Sequence, residues 1–289
     1  MRASLGDSLR NAGIEYRHIQ IGTQRLRCPR CDRSKRDEAL SLLIEDGSAV
    51  WHCFRCGWAG STREKPPRGG RGERGGFPAN ITRLDRAGAE ARAARKARLI
   101  WDAAKPSEIL HPYLVRKGIA GYGLSRILHF AYSAANSIEN ALLVPMRDQS
   151  GEVVNIQGIG PDGTKRFLAG GKVRGCFALV RHIDKPWRDL GERIAIGEGF
   201  ASVFSYCRLH PGFRGVAALS ASNLPAVARL LRAQFPNAEI VIAADQDVPG
   251  ARAAGEACIA INALVHVPGF GRAGIVDWND LEQNYAARA

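Results

Sequence analysis

Three carboxylates stand where a sheet would gather them. The run Arg193-Ile194-Ala195-Ile196-Gly197 ends in Glu198-Gly199, and Glu239-Ile240-Val241-Ile242-Ala243-Ala244 ends in Asp245-Gln246-Asp247. Apolar runs of this length read as buried parallel strands, and the carboxyl ends of such strands are where open α/β sheets hold ligands. Glu198, Asp245 and Asp247 are therefore expected at one rim. Like charges so placed repel unless a cation joins them, and a ligand set made only of oxygens suits Mg²⁺ or Mn²⁺. An acid after a strand is commonly only a helix cap or a loop charge. The signal lies in the set, in order, each acid followed by a helix-like segment.

A second chemistry lies near the N-terminus. Cys28-Pro29-Arg30-Cys31 and Cys53-Phe54-Arg55-Cys56 are two C-x-x-C knuckles with 21 residues between them. Each offers two thiolates from a tight turn, and four complete a tetrahedron around Zn²⁺. Between the knuckles, 39–44 and 49–52 read as a hairpin turning at Asp46-Gly47, so the unit is expected to be a zinc ribbon. A closed four-cysteine site is structural, not catalytic. Trp51, Phe54 and Trp58 are interleaved with Arg30, Arg33, Lys35, Arg36 and Arg55. Aromatics beside cations suit single-stranded nucleic acid, where bases stack and phosphates pair; equally, these aromatics could form the core of the ribbon. Cys176, Cys207 and Cys258 lie in apolar or helical runs and read as core residues.

The elements that must position these groups follow from pattern. Strands at 193–197, 215–219, 239–244 and 264–267 alternate with helices at 200–209, 225–235 and 250–264, which predicts a mostly parallel sheet covered on both faces. Residues 140–180 read as short strands with Gly turns, among them 141–146, 153–158 and 165–168. Residues 83–104 read as a helix spaced by Leu84, Ala87, Ala91, Ala94 and Leu99, stopped by Lys105-Pro106. Residues 61–80 are rich in Pro, Gly and Arg and read as a flexible basic linker. The expected division is a ribbon at 1–60, a linker at 61–80, a subdomain at 81–190 and an acid-bearing α/β domain at 191–289.

Composition sets limits. The chain has 289 residues and a net charge of +13. Residues 1–105 carry 22 Lys+Arg against 12 Asp+Glu, an excess of +10, while the rest carries +3. Such an uneven basic excess points to a polyanionic partner, usually nucleic acid. There is no apolar stretch for a membrane span and no apolar core of an export signal, and the cysteine usage fits a reducing compartment, so a cytoplasmic place is expected. The phosphate-loop pattern of NTPase motors is absent.

Glu198-Gly199 followed by Asp245-x-Asp247-x-x-Gly250 resembles the Toprim domain shared by primases, topoisomerases and some nucleases. A ribbon ending Trp51-His52-Cys53-Phe54-x-Cys56-Gly57, placed before a linker and a Toprim domain, resembles the N-terminus of DnaG-type primases. His111-Pro112-Tyr113-Leu114-x-x-Lys117-Gly118, Lys165-Arg166-Phe167 and Asp277-Trp278-Asn279-Asp280-Leu281 are similar to segments of phage, satellite-phage and plasmid primases. The resemblance implies an α/β fold, α+β overall, and a DNA primase making short RNA primers on single-stranded DNA by metal-dependent nucleotidyl transfer. It further implies that Asp245 and Asp247 hold Mg²⁺ or Mn²⁺, that Glu198 completes the site or acts as general base, and that Asp277 and Asp280 are possible further ligands. Arg147, Lys165, Arg166, Lys172 and Arg174 would line the template and nucleotide groove, with Arg30, Arg33, Arg55 and Trp58 contacting nucleic acid from the ribbon. The partners implied are single-stranded DNA, nucleoside triphosphates and a separate replicative helicase. A Toprim nuclease and a non-catalytic RecR-like clamp are the alternatives.

Overall fold

The computed structural model describes residues 4–31, 38–45, 47–53, 56, 58–63, 79–107, 111–120, 124–180, 187–269 and 274–287. The chain forms two compact units, Met1–Gly75 and Gly76–Ala289.

In the first unit, β1 (Gly22–Leu26), β2 (Leu40–Glu45), β3 (Ser48–Cys53) and β4 (Ala59–Arg63) make an antiparallel sheet in chain order. A helix, α1 (Leu5–Asn11), precedes them and opens on a capping box between Ser4 and Asp7. Strand alternation puts Leu40, Leu42 and Ile44 on the same side as Ala49, Trp51 and Cys53, where they are buried with Leu5 and Leu9 of α1. Trp51 of β3 pairs with Gly60 of β4 and covers it so closely that a Cβ at Gly60 would lie 2.4 Å from the indole. This corrects the expected linker. Residues 61–63 are strand, because their backbone completes the β3 ladder, and residues 79–80 begin a helix; 64–78 lie outside the described residues.

The second unit begins with α2 (Ala79–Ala103), β5 (Lys105–Pro106), α3 (Pro112–Lys117), β6 (Ser125–Ala131), β7 (Ser137–Arg147), β8 (Val153–Ile159) and β9 (Lys165–Phe167). The five strands form an antiparallel sheet in that order. Helix α2 packs on β8 through Ala93 and Ala97, with Ile100 and Trp101 beside them. Of the expected stripe, Ala94 packs against the core, whereas Ala87, Ala91 and Leu99 are exposed. In an alanine-rich helix the small residues do not mark which side is buried, so the spacing of the larger ones misled.

The unit continues through β10 (Ala178–Val180), β11 (Arg193–Gly197), α4 (Phe200–Leu209), β12 (Arg214–Ala217), α5 (Leu224–Gln234), β13 (Glu239–Ala243), α6 (Val248–Ile261), β14 (Leu264–His266) and α7 (Trp278–Ala286). Its sheet runs β10-β12-β11-β13-β14, parallel except where β10 meets β12. One face packs against α4 and α7 through Val203, Phe204, Tyr206 and Leu281. The other packs against α5 and α6 through Val227, Leu231, Ala254 and Ala257. The fold is thus mixed α/β, with a cysteine-bearing ribbon and a mostly parallel sheet, as expected. The chain leaves β11 for β12 on one side and returns to β13 on the other, so the carboxyl ends of β11 and β13 flank the point where strand order reverses.

Two distant segments are bolted together. The backbone carbonyls at the end of α3 have no partners within that helix. They are met instead by Asn279 Nδ2 on Lys117 O (2.7 Å), Gln283 Nε2 on Arg116 O (3.2 Å) and an Arg208 guanidinium N–H on Gly118 O (3.0 Å). Two of the segments singled out in the sequence, around His111–Gly118 and Asp277–Leu281, therefore meet. Among the described residues, no helix is long and apolar enough to cross a membrane.

Candidate functional site

The parallel register sets Gly197 beside Ala243, so the chain emerges from β11 and β13 at the same level. Glu198 follows directly and Asp245 two residues on, both part-buried, while Asp247 is exposed at the start of α6. Asp247 is also the N-cap of that helix, its Oδ1 accepting the Gly250 N–H at 2.8 Å. A Cβ at Gly250 would lie 2.7 Å from that oxygen and 3.2 Å from the carbonyl of Asp245, which explains the glycine in Asp-x-Asp-x-x-Gly.

Burial dominates the electrostatics of the rim, with the charges of neighbouring acids adding to it. Burial, reinforced by the charges of Glu198, Asp277 and Asp247, pushes the Asp245 carboxyl up to about 7, against the opposing hydrogen bond from Ser202. Burial and the Asp247 charge likewise raise Glu198, while the Lys165 ammonium and the Ala221 backbone N–H pull it down. The Ala221 amide is delivered by a loop that turns at Leu219, a buried residue with φ of 63°. That left-handed conformation is strained for a leucine. It is held by the Leu219 N–H donating to Glu198 O (2.8 Å) and by Gln157 Nε2 donating to Leu219 O (3.2 Å).

Asp277 and Asp280, the possible further ligands, form a capping box at the start of α7. Asp277 Oδ1 accepts the Asp280 N–H at 2.9 Å, and Asp280 Oδ2 accepts the N–H groups of Val276 and Asp277 at 3.0 and 3.1 Å. Asp277 also faces Lys117, with Nζ 3.6 Å from Oδ2. Asp277 reaches the rim electrostatically, and Asp280 is committed to the cap.

Of the five groove cations, Lys165 is the one whose charge acts on a rim acid; its Nζ is 3.9 Å from where a Cβ of Gly199 would sit. Lys172 and Arg174 are exposed on the loop 168–175. Buried Asn155 and Asn223 hold that loop, Asn155 Nδ2 donating to Lys172 O (3.1 Å) and Asn223 Oδ1 accepting the Gly175 N–H (2.8 Å). Asn223 also donates to Cys176 O (2.7 Å) and Ala218 O (2.9 Å), tying the basic loop to the end of β12 beside the rim. Arg166 is exposed, its guanidinium turned back to Lys165 O. Arg147 is part-buried, donates to Gly151 O at 2.8 Å and holds the β7–β8 turn.

Ser202, Asn155, Asn223 and Gln157 were missed in the sequence. Asn223 precedes Leu-Pro and reads as an ordinary helix cap; nothing local says that it binds Gly175, 48 residues away.

In the ribbon, the Sγ atoms of Cys28, Cys31, Cys53 and Cys56 all lie within 4.8 Å of one another, with Cys28–Cys56 and Cys31–Cys53 both at 3.7 Å. Four sulfurs around a zinc at about 2.3 Å would stand about 3.8 Å apart. The spacing fits that ion and is far too long for a disulfide bond of about 2.05 Å. Burial holds the Cys28 and Cys31 thiols above their ordinary range, so a cation is what would make them thiolates. Trp51 is 8% exposed and packs on Trp58 at 5.7 Å, so it belongs to the core. Trp58 is half-buried, with the Arg30 guanidinium 5.7 Å over its ring. Arg33 and Arg55, with Lys35, Arg36 and Phe54, lie outside the described residues.

Residues 193–287 match the family model described as the Toprim domain. Two DNA primase TraC proteins of Escherichia coli are similar in sequence. One is 38% identical over 104 residues, covering 36% of this chain and 10% of that protein; the other is 35% identical over 161 residues, covering 55% and 10%. The matches thus span a tenth of the length of these curated relatives. The primase fragment of the bacteriophage T7 primase-helicase protein is 16% identical, covering 91% of this chain and 96% of that one, with a TM-score of 0.45. At that score the functional reading rests on the sequence matches and the site itself.

Proposed function

We propose that this chain, which carries a Toprim domain and resembles plasmid and phage primases of the DnaG type, synthesises short RNA primers on single-stranded DNA. The observation that carries the reading is the rim of Glu198, Asp245 and Asp247 within the segment that matches Toprim, in a chain 35% and 38% identical to named DNA primases over the aligned parts. Glu198 and Asp245, both raised by burial and by the charge of Asp247 beside them, make with Asp247 an all-oxygen donor set that a Mg²⁺ or Mn²⁺ ion would join. Asp245 and Asp247 would hold it, with Asp277 acting on Asp245 through its charge. When bound, such an ion supplies charge stabilisation on phosphate oxygens and orients the triphosphate.

The chain's own residues do the rest. Glu198, with its raised pKa, can accept the proton of the attacking 3′-hydroxyl. The new bond joins that oxygen to the α-phosphorus of the incoming nucleotide, and the bond that breaks releases pyrophosphate. Lys165, beside Glu198, faces the phosphates, and Lys172 and Arg174 extend the cationic side of the groove. The ribbon would be held by one structural zinc on Cys28, Cys31, Cys53 and Cys56 and would engage template. We assign residues 1–63 to the ribbon, the following basic segment to a tether, the residues up to 190 to the primase N-terminal subdomain, and 191–289 to Toprim. Unwinding would come from a separate helicase, and the setting is cytoplasmic.

Incubation with single-stranded DNA, Mg²⁺ and labelled ribonucleotides tests this. Labelled oligomers that disappear when template is omitted are expected. DNA cleavage without nucleotides would point to a nuclease. DNA binding without either reaction, unchanged by Asp245→Asn, would point to a clamp.

A further inference from the structure

We propose that Ser202 is a positioning residue of the acidic rim: its hydroxyl fixes the Asp245 carboxylate for the cation and fastens it to the start of α7. The inference rests on the metal-binding reading of the rim.

Ser202 lies in the first turn of α4 and is 3% exposed. Its Oγ has two partners. The Trp278 backbone N–H points at it from 3.4 Å, and Asp245 Oδ1 lies 2.9 Å away. An amide N–H can only donate, so the hydroxyl must accept from Trp278. Its single hydrogen goes to Asp245 Oδ1, because an ionised carboxylate can only accept. Trp278 is the first residue of α7, where backbone N–H groups have no partner inside the helix. The serine therefore satisfies a helix end and restrains an acid with one group. One carboxylate oxygen is engaged, which fixes the side-chain torsion and leaves the other oxygen to a cation.

One turn later, Ser205 provides the contrast. It too is buried, donates to Glu282 Oε2 at 2.7 Å and accepts from Asn279 Nδ2 at 3.0 Å. It bolts α4 to α7 as Ser202 does, but neither of its partners is a rim acid. A role confined to fastening helices would be shared by both serines; a role in cation binding belongs to Ser202 alone.

The test uses the full chain with Mn²⁺ as the probe, free ion being read by electron paramagnetic resonance and fold by thermal melting. Asp245→Asn gives the background from other sites. Ser202→Ala is expected to weaken rim Mn²⁺ binding about tenfold, the scale of a hydrogen bond to a charged group. It should raise the Mg²⁺ concentration for half-maximal primer synthesis by a similar factor. Ser205→Ala should lower the melting temperature and leave Mn²⁺ affinity within about twofold. Ser202→Thr keeps the hydroxyl and should recover most of the affinity, which a melted Ser202→Ala protein could not mimic. Unchanged Mn²⁺ affinity in a folded Ser202→Ala, equal weakening by Ser205→Ala, or no recovery in a folded Ser202→Thr would overturn the proposal. Identical binding by the native chain and Asp245→Asn would instead overturn the metal-binding reading beneath it.

Discussion

The two clusters of potential ligands are assembled in opposite ways. The four cysteines come from two local knuckles, and their sulfurs are already at the spacing a tetrahedral ion requires. The three acids come from the ends of two neighbouring strands, and among the described residues no such close gathering of carboxylates occurs. Closeness costs little for thiols such as Cys28 and Cys31, whose ionisation burial opposes, whereas carboxylates brought as close would repel. A site built to be filled once can be closed in advance. The proposed site would have to admit a cation together with a substrate, and the rim is open, with each acid held by a different neighbour: Ala221 for Glu198, Ser202 for Asp245, Gly250 for Asp247.

The contrast is broken most severely at the rim. Asp245→Asn keeps the shape and removes the charge, and primer synthesis should fall by orders of magnitude while DNA affinity, measured by fluorescence anisotropy, stays within a few fold. Retained synthesis would show that the open cluster is not the reaction centre.

The closed cluster should fail structurally. Cys53→Ser should lower zinc, by metal analysis, from one per chain to well below one half. The first unit should lose protection from amide hydrogen exchange, since zinc binding is coupled to folding. The second unit should keep its protection pattern; loss of protection in both units together would mean that the two do not fold independently.

Acidity sharpens the comparison. With its carboxyl raised to about 7, Asp245 is neutral in mildly acidic solution and must lose a proton to bind a cation. Mn²⁺ affinity at the rim should therefore drop as pH falls from 8 to 6, by up to about tenfold per unit below the pKa. The stability effect has the opposite sense. A folded-state pKa above the unfolded 3.8 favours folding fully at low pH, and that contribution is lost as pH rises through about 7. In chelator, Asp245→Asn should thus raise the melting temperature by several degrees at pH 8 and by much less at pH 5.

The smallest effect concerns the ribbon core. A methyl at Gly60 would press on the Trp51 indole, so Gly60→Ala should cost about 1–3 kcal/mol of first-unit stability, with a shift in tryptophan emission. An unshifted spectrum with full stability would mean that β4 does not lie under Trp51 in solution.

Much of this was legible in sequence because it rested on local repetition. The apolar runs 193–197 and 239–243 declared buried strands, and the knuckles declared a thiolate cluster. What escaped depends on contacts distant along the chain. The last three residues of β4, Ser61-Thr62-Arg63, read as linker because nothing in them alone marks a strand until β3 pairs with them. The resemblance offers Asp277 and Asp280 as possible ligands, yet the Asp-x-x-Asp spacing is also that of a capping box, and the cap is what Asp280 serves. Ser202 is a plain helical serine until α7 and Asp245 arrive from 76 and 43 residues away.

The bolt between α3 and α7 governs when the second unit can finish forming. Asn279 meets Lys117 across 162 residues and Gln283 meets Arg116 across 167. During synthesis at about 5–20 residues per second, α3 would wait on the order of ten seconds for the segment that satisfies its carbonyls. Contacts of such long sequence separation slow folding, because the intervening loop must close before they form. The newborn chain is thus expected to hold its antiparallel sheet with one end unfinished until α7 leaves the ribosome, an interval in which a chaperone or a protease would find its opening.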